Sequence, residues 1–525
     1  MESKEEDAMA AELVIHNGIC LTMDGGIADW LALGQGRIAA LGAGASWSEV
    51  CDGHTRVIDA RGGSVLPGFI DNHFHLVQTA LNNLYLDLGR VQSFEEIGAC
   101  IAAEGRKNPD LPIHGIRLDV QNLRERRLPT RAELDAFWKD SPVWINTYDY
   151  QASILNTYAM LYYKIPFTQP GIVCDEKCMP TGLFQHNANA MLRGNILRKT
   201  TDFFRLEALQ KLMPALAEQG VTTIAAVEGG ELYCDRDAEF IQGISTQHTV
   251  YPDIQLFFQT LDLDRVEAMG LHRVGGCLYV DGTFHARTAA ISFDYADAPQ
   301  KRGMLKFTQE QMDELVEQCY RRNLQLALYT VGDRAIDLAL NAHRRAAELT
   351  GNLNLRHRLE HAELPSQEHI RLAQKLGVLF SMQPSYELNW GGKGKMYELR
   401  LGAHSKDTNP FRQILDAGVT ICGGTDSDVC QANYLEAIYA AVNHPTRENR
   451  VSVEEAIAMF TSSGAYALGL ERDRGMLKQG YRGDVVVLSG DILRVPTEDI
   501  RKLQVTHTIK DGAVVYDREA GGFQC

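Results

Sequence analysis

The run Pro67-Gly68-Phe69-Ile70-Asp71-Asn72-His73-Phe74-His75 decides how the rest of the chain is read. Pro67 and Gly68 punctuate the entry to an apolar stretch that ends in two histidines one residue apart. On a β-strand, side chains at i and i+2 point to the same face. His73 and His75 can therefore aim both imidazoles at one point, and neutral imidazole is the commonest metal ligand among side chains. The spacing predicts the first half of a metal site at the end of a buried strand.

Outward from that strand, apolar runs of strand length recur at 221–227, 254–259, 277–281, 325–329, 355–361, 378–383 and 419–425. Segments of helical periodicity connect them. Thr308 with Gln311, and Ser452 with Glu455, read as capping boxes that open two of these helices. Eight strands alternating with helices predict an α/β chain built as a parallel (β/α)8 barrel, a TIM barrel, over residues 67–473. Residues 76–205 interrupt it after the first strand, with strand-like pieces at 115–120 and 142–147. An insertion over the C-terminal face of a barrel would shape a substrate pocket or lid.

The two ends of the chain have a different texture. Residues 11–66 and 474–519 carry short β-like runs, such as Leu13-Val14-Ile15 and Val485-Val486-Val487-Leu488, separated by glycine turns. They predict one small β-sandwich domain made from both ends. At 525 residues, a barrel plus an accessory domain is the natural size. Apolar content of 45% and charged content of 23% are those of an ordinary globular protein. A formal charge of −16 argues against nucleic-acid or anionic-membrane partners, which need basic patches. The first residues are polar and acidic, without the apolar core of a signal peptide, and no run approaches a membrane span. The 11 cysteines are scattered rather than arranged as a disulfide framework, so they read as reduced and the chain as cytoplasmic. Cys174 and Cys178 have no second pair to complete a structural zinc site.

In a barrel, reactive groups belong at the C-terminal ends of strands. Polar groups do stand there: His73 and His75, then Glu228, Asp281, Tyr329, Glu360 with His361, and Asp426. At this point the chain resembles a family. Pro67-Gly-Phe-Ile-Asp-Asn-His-Phe-His-Leu76 is similar to the first-strand signature of the amidohydrolase superfamily, metal-dependent hydrolases on a (β/α)8 barrel. The nearest branch is that of large amidohydrolases acting on N-substituted amides. The resemblance implies that His361, in Arg358-Leu-Glu-His-Ala-Glu363, is the sixth-strand metal ligand. It also implies that Asp426, in Gly423-Gly-Thr-Asp-Ser-Asp428, both touches metal and serves as acid and base.

The departures from that family are equally specific. Its fourth strand usually supplies a carboxylated lysine that bridges two metals; Cys277 stands there. Its fifth strand usually ends in histidine; here Tyr329 precedes Thr330-Val-Gly-Asp-Arg-Ala335. Either Glu228 or Cys277 could take over the bridge, and both remain open as metal ligands. Tyr329, with a phenol pKa of about 10, is a poor zinc ligand and suits a substrate oxygen or a water. His285 replaces a small residue just before Arg287-Thr288-Ala289, where agreement with the family resumes. His186 replaces a glutamate, and Asp149-Tyr150-Gln151 replaces an Asp-Gly-His. With Gln383, Tyr386 and Trp390, these residues are the candidate substrate-binding set.

The expectation is thus hydrolysis of a C–N bond, in an amide or cyclic amide of a small molecule, by metal-activated water with Asp426 as acid and base. The metal ligands expected are His73, His75, His361 and Asp426, with Glu228 or Cys277 added. Zinc fits such donors best, one ion is a safer expectation than two, and manganese or iron is compatible with the residue types. The resemblance also implies a homodimer. Deamination is the nearest rival, but the His-x-x-Glu that deaminating relatives carry after the fifth strand is replaced by Tyr329-Thr-Val-Gly332. A rival of another class is a ligand-binding barrel that has lost part of its metal site.

Overall fold

The computed structural model describes residues 11–148, 150, 152–164, 166, 168–230, 234–245 and 251–524, without the side chains of His186 and Asn187. They divide into two compact units, one made of described residues within 11–76, 213–228 and 241–524, the other of those within 77–212 and 229–240.

The first unit holds the expected (β/α)8 barrel. Its strands are β1 (Phe69–Phe74), β2 (Val221–Glu228), β3 (Asp253–Phe258), β4 (Arg273–Tyr279), β5 (Gln325–Thr330), β6 (Arg358–His361), β7 (Leu379–Met382) and β8 (Ile421–Gly423). All eight are parallel neighbours in chain order. β1 and β2 are buried along their whole length, as strands covered on both faces must be. The last strand returns to the first through the backbone. Asp426 N–H donates to the His73 carbonyl at 2.9 Å, and His75 N–H donates to that of Ser427 at 2.7 Å. Gly424 permits this approach, because a Cβ there would lie 2.7 Å from the His73 backbone nitrogen. Helices Gln309–Arg321 and Val453–Met459 open with the capping boxes read from Thr308 and Ser452.

One strand differs from its sequence reading in a way that matters. The apolar run suggested that β4 starts at Cys277, but the strand starts at Arg273, and Cys277 stands near its C-terminal end. Gly275 and Gly276 hide this in the sequence, since paired glycines read as a break. Both adopt left-handed φ, +98° and +105°, and the register against β5 shifts between Gly275 and Leu278. This is a bulge, which bends a strand and re-aims the side chains beyond it.

This unit has two further sheets, of which the second draws on both chain ends. One runs Arg37–Gly42, Trp30–Gly34, Leu13–His16, Arg56–Asp59. The other includes Ile19–Leu21 and Ser64–Pro67 beside Val485–Leu488, Val505–Lys510 and Ala513–Asp517. Leu13, Ile15, Leu31, Val65, Val485 and Ile509 share one core between them. The second unit contains a six-stranded sheet whose centre is Ala152–Leu155, Val143–Thr147 and Ile113–Leu118, packed on helix Phe94–Lys107 through Ile97 and Ile101. Among the described residues no helix is long and apolar enough to cross a membrane.

A buried histidine pair gives the barrel an acid-sensitive seam. His343, on helix Asp333–Thr350, stands 3.3 Å from the Tyr320 hydroxyl, and His357 accepts the Leu326 N–H at 3.0 Å. Burial pushes the His343 pKa down to about 3, and burial with the neighbouring His343 holds His357 well below its usual range. Below pH of about 6.5 the unfolded chain binds protons that the folded chain refuses, so stability falls with pH through this window. Each such group contributes up to about 1.4 kcal/mol per pH unit. His343→Gln is therefore expected to flatten the decline in thermal midpoint between about pH 6.5 and 4 relative to wild type. Parallel profiles would show that His343 does not carry the effect.

Candidate metal centre

β1 delivers its two histidines with their tautomers already set. His73 Nδ1 donates to Glu360 Oε2 at 2.6 Å, and His75 Nδ1 donates to the Val227 carbonyl at 3.2 Å. With Nδ1 engaged, each ring turns its Nε2 to one point inside the barrel. Asp426 Oδ1 lies 3.4 Å from His73 Nε2 and 3.1 Å from His75 Nε2. Cys277 Sγ lies 3.4 Å from the first and 3.6 Å from the second. Ligand atoms of His73, His75 and Cys277 fall within 4.8 Å of one another, as do those of His73, His361 and Asp426. All five residues are buried.

The electrostatics are those of a cation site. Burial alone would raise the Cys277 thiol, yet the charges of His73 and His75 hold it well below its usual range. Burial would likewise raise Asp426, but its contacts with the same two histidines hold it well below the carboxylate range. Burial would lower His73 and His75, and Cys277 and Asp426 hold them well above the usual imidazole value. Two potential anions facing two imidazoles call for positive charge between them, which protons or a metal can supply. His361 adds a buried imidazole with both ring nitrogens lacking a hydrogen-bond partner among the described residues. Its φ is +68° and that of Asp426 is +52°, left-handed values uncommon outside glycine and found where function holds the backbone. These donors fit a divalent metal.

Supporting residues surround the centre. Arg358 Nε donates to Glu360 Oε1 at 2.7 Å, and its NH2 donates to the Asn72 carbonyl at 2.9 Å. Asp71, inside the opening motif but given no role by the sequence reading, ties β1 to β8. It accepts from His73 N–H at 3.0 Å, from Thr425 Oγ1 at 2.6 Å and from the Tyr434 hydroxyl at 3.0 Å. Asp281 accepts from the N–H groups of Ala290, Val331 and Gly332 at 2.8–3.0 Å, so it staples the loops after β4 and β5.

The remaining candidates divide sharply. Tyr386 donates its hydroxyl to Asp426 Oδ2, and its ring lies nearly parallel to that of His361 and against Trp390. Gln383 is buried just after β7, and neither polar atom of its amide has a partner among the described residues. Tyr329 packs edge-on to His361, 4.5 Å between ring centroids, while its hydroxyl turns to the Gly282 carbonyl at 3.3 Å. Glu228 is fully buried at the end of β2 but joins neither ligand group. Arg287 is committed to Asp297 by two bonds of 2.9 and 2.6 Å, and His285 is half-buried in the same loop. The His186 side chain, Asp149 and Gln151 lie outside the described residues.

Comparison with known proteins finds relatives over nearly the whole chain. The chain is 26% identical over 540 residues to the N-substituted formamide deformylase of Arthrobacter pascens, covering 97% of this chain and 98% of that one. It superposes on metal-dependent hydrolases of Pyrococcus furiosus and Pyrococcus horikoshii, each with a TM-score of 0.76. Those matches cover 92% and 93% of this chain, with 100% and 99% of the others, at 24% and 22% identity. The model of the amidohydrolase family matches residues 56–516. The chain belongs to the amidohydrolase family and is a metal-dependent hydrolase.

Proposed function

We propose that this chain hydrolyses the carbon–nitrogen bond of a small N-substituted amide, with Asp426 as the proton carrier and His73, His75, His361 and Asp426 as metal ligands. The observation that carries the reading is Asp426 itself. Oδ1 lies against both histidine Nε2 atoms, and Oδ2 is held by Tyr386. A divalent metal held by these residues, zinc by the preference for such donors, would supply a lowered water pKa and a polarised carbonyl. Asp426 Oδ1 takes the proton of the attacking water and returns it to the departing nitrogen, so one carboxylate acts as base and then as acid. Tyr386 keeps Oδ2 occupied, which leaves Oδ1 directed at the reaction.

Gln383 suits recognition of an amide. Its side chain carries one carbonyl acceptor and two N–H donors. Burying both ends without partners costs about 1–3 kcal/mol per group, a cost relieved when substrate supplies the complement. Tyr329, Tyr386 and Trp390 supply an aromatic wall for the substituent on nitrogen. The relative named as an N-substituted formamide deformylase points to the same bond class.

The test is amine release from N-alkyl and N-aryl formamides and from cyclic amides, with the matching esters as controls. Turnover of at least one amide is expected, abolished by a chelator and restored by zinc. Ammonia release from an amino-substituted heterocycle, with every amide inert, would replace this reading by deamination.

A further inference from the structure

We infer that Cys277 Sγ is a direct metal ligand and that, with His73, His75, His361 and Asp426, it holds one divalent ion rather than two. The inference rests on the metal-dependent reading above and specifies the centre on which that reading depends. The distances carry it. A tetrahedral zinc with bonds of about 2.0–2.1 Å to nitrogen and oxygen and about 2.3 Å to sulfur has ligand–ligand edges of about 3.3–3.4 Å, lengthening to about 3.5–3.6 Å where sulfur is involved. The nitrogen–oxygen edges here are 3.4 and 3.1 Å, and the nitrogen–sulfur edges are 3.4 and 3.6 Å. Cys277 Sγ therefore stands at ligand-to-ligand distance from both imidazoles, and Asp426 Oδ1 stands at that distance from the same two nitrogens.

The backbone is built to keep the sulfur there. The glycine bulge at Gly275 and Gly276 re-aims the end of β4, and a Cβ on Gly276 would lie 2.4 Å from Val227 Cγ1. Cys277 N–H donates to Gln259 Oε1 at 2.9 Å, and Gln259 Nε2 donates to the Val227 carbonyl at 3.1 Å. That carbonyl also receives His75 Nδ1. One chain of hydrogen bonds thus orients both the thiol and an imidazole, the outer-shell arrangement that fixes ligands at metal sites. A cysteine serving only to fill the core has no need of two imidazole nitrogens within 3.6 Å of its sulfur.

Both ligand groups share His73, whose Nδ1 is engaged by Glu360, and its one remaining ring nitrogen can bind a single ion. The Tyr329 hydroxyl turns to the Gly282 carbonyl, and Glu228 joins neither ligand group. With neutral imidazoles, one thiolate and one carboxylate balance one divalent cation, which a buried centre requires. Sulfur in the set favours zinc or cobalt over manganese and magnesium.

The test is elemental analysis of the purified full chain, followed by exchange with cobalt(II) and near-ultraviolet absorption. One ion per chain is expected, with an intense sulfur-to-cobalt charge-transfer band. The band is expected to vanish in Cys277→Ser and to persist in Cys174→Ser and Cys178→Ser. Should Cys277→Ser fail to fold, the wild-type band still decides, since nitrogen and oxygen donors alone give none of that intensity. Two ions per chain, or one ion without the band, would overturn the inference while leaving a metal-dependent hydrolase intact. A chain that takes up no metal at all would overturn both.

Discussion

Asp426→Asn is expected to lower kcat/KM on the amide substrate by about 1,000-fold, within the range that a positioned acid–base group contributes. The substitution keeps shape and removes basicity. The amide can still meet the Tyr386 hydroxyl through its oxygen, but it cannot take a proton from water and return it to nitrogen. Asparagine also tolerates the left-handed φ of +52° at this position, so the backbone is not the cause of any loss. An unchanged far-ultraviolet spectrum, thermal midpoint and metal content, with activity lost, would place the effect on chemistry. Activity within tenfold of wild type would remove Asp426 from the proton path.

The second large effect is expected at Glu360, which touches no substrate in this reading. Glu360 receives His73 Nδ1–H at 2.6 Å and is itself gripped by Arg358 at 2.7 Å, all three fully buried. Removing such an outer-shell partner typically costs about 10–100-fold in metal affinity, because the imidazole loses its fixed tautomer and some basicity. Glu360→Gln keeps an oxygen for His73 but surrenders the charge, and a loss in that range is expected by competition with a chelating dye. Glu360→Ala should do more. It leaves the Arg358 guanidinium, stacked 4.1 Å over Phe257, buried without its counter-ion. Breaking a buried pair from one side costs about 3–5 kcal/mol, so this variant is expected to be destabilised as well as weakened in metal binding. Metal affinity within threefold of wild type in Glu360→Gln would show that His73 is oriented by other means.

How much of this centre was legible in advance can be judged residue by residue. His73 and His75 announced themselves, because period-two spacing on a buried strand leaves their direction little freedom. Asp426 and His361 were found as polar groups closing apolar runs, a pattern that needs only strand ends to be located. Tyr386 was read as a wall of the substrate site, whereas its hydroxyl bonds Asp426. Nothing in the local sequence couples residues 386 and 426. Arg287 reads from the sequence as a substrate contact, and in the structure two of its five N–H donors go to Asp297 of the same loop. Arginine opposite a nearby aspartate is a pairing that residue identity permits without predicting.

Cys277 illustrates the limit most clearly. The chain places it four residues before Asp281, where a bridging lysine would stand in relatives, and also after two glycines that look like the end of a turn. Sequence alone left it between ligand and filler. The tertiary structure decides its surroundings, because the left-handed glycines form a bulge against β5 and carry the sulfur to within 3.6 Å of both Nε2 atoms. By itself the sequence determined the barrel, the strand order and the polar residues that stand at the strand ends. Each follows from periodicity and spacing along the chain. What only the fold determined is which donors meet, since that depends on how eight strands stagger around a closed barrel, a property of pairing between segments hundreds of residues apart rather than of any one of them.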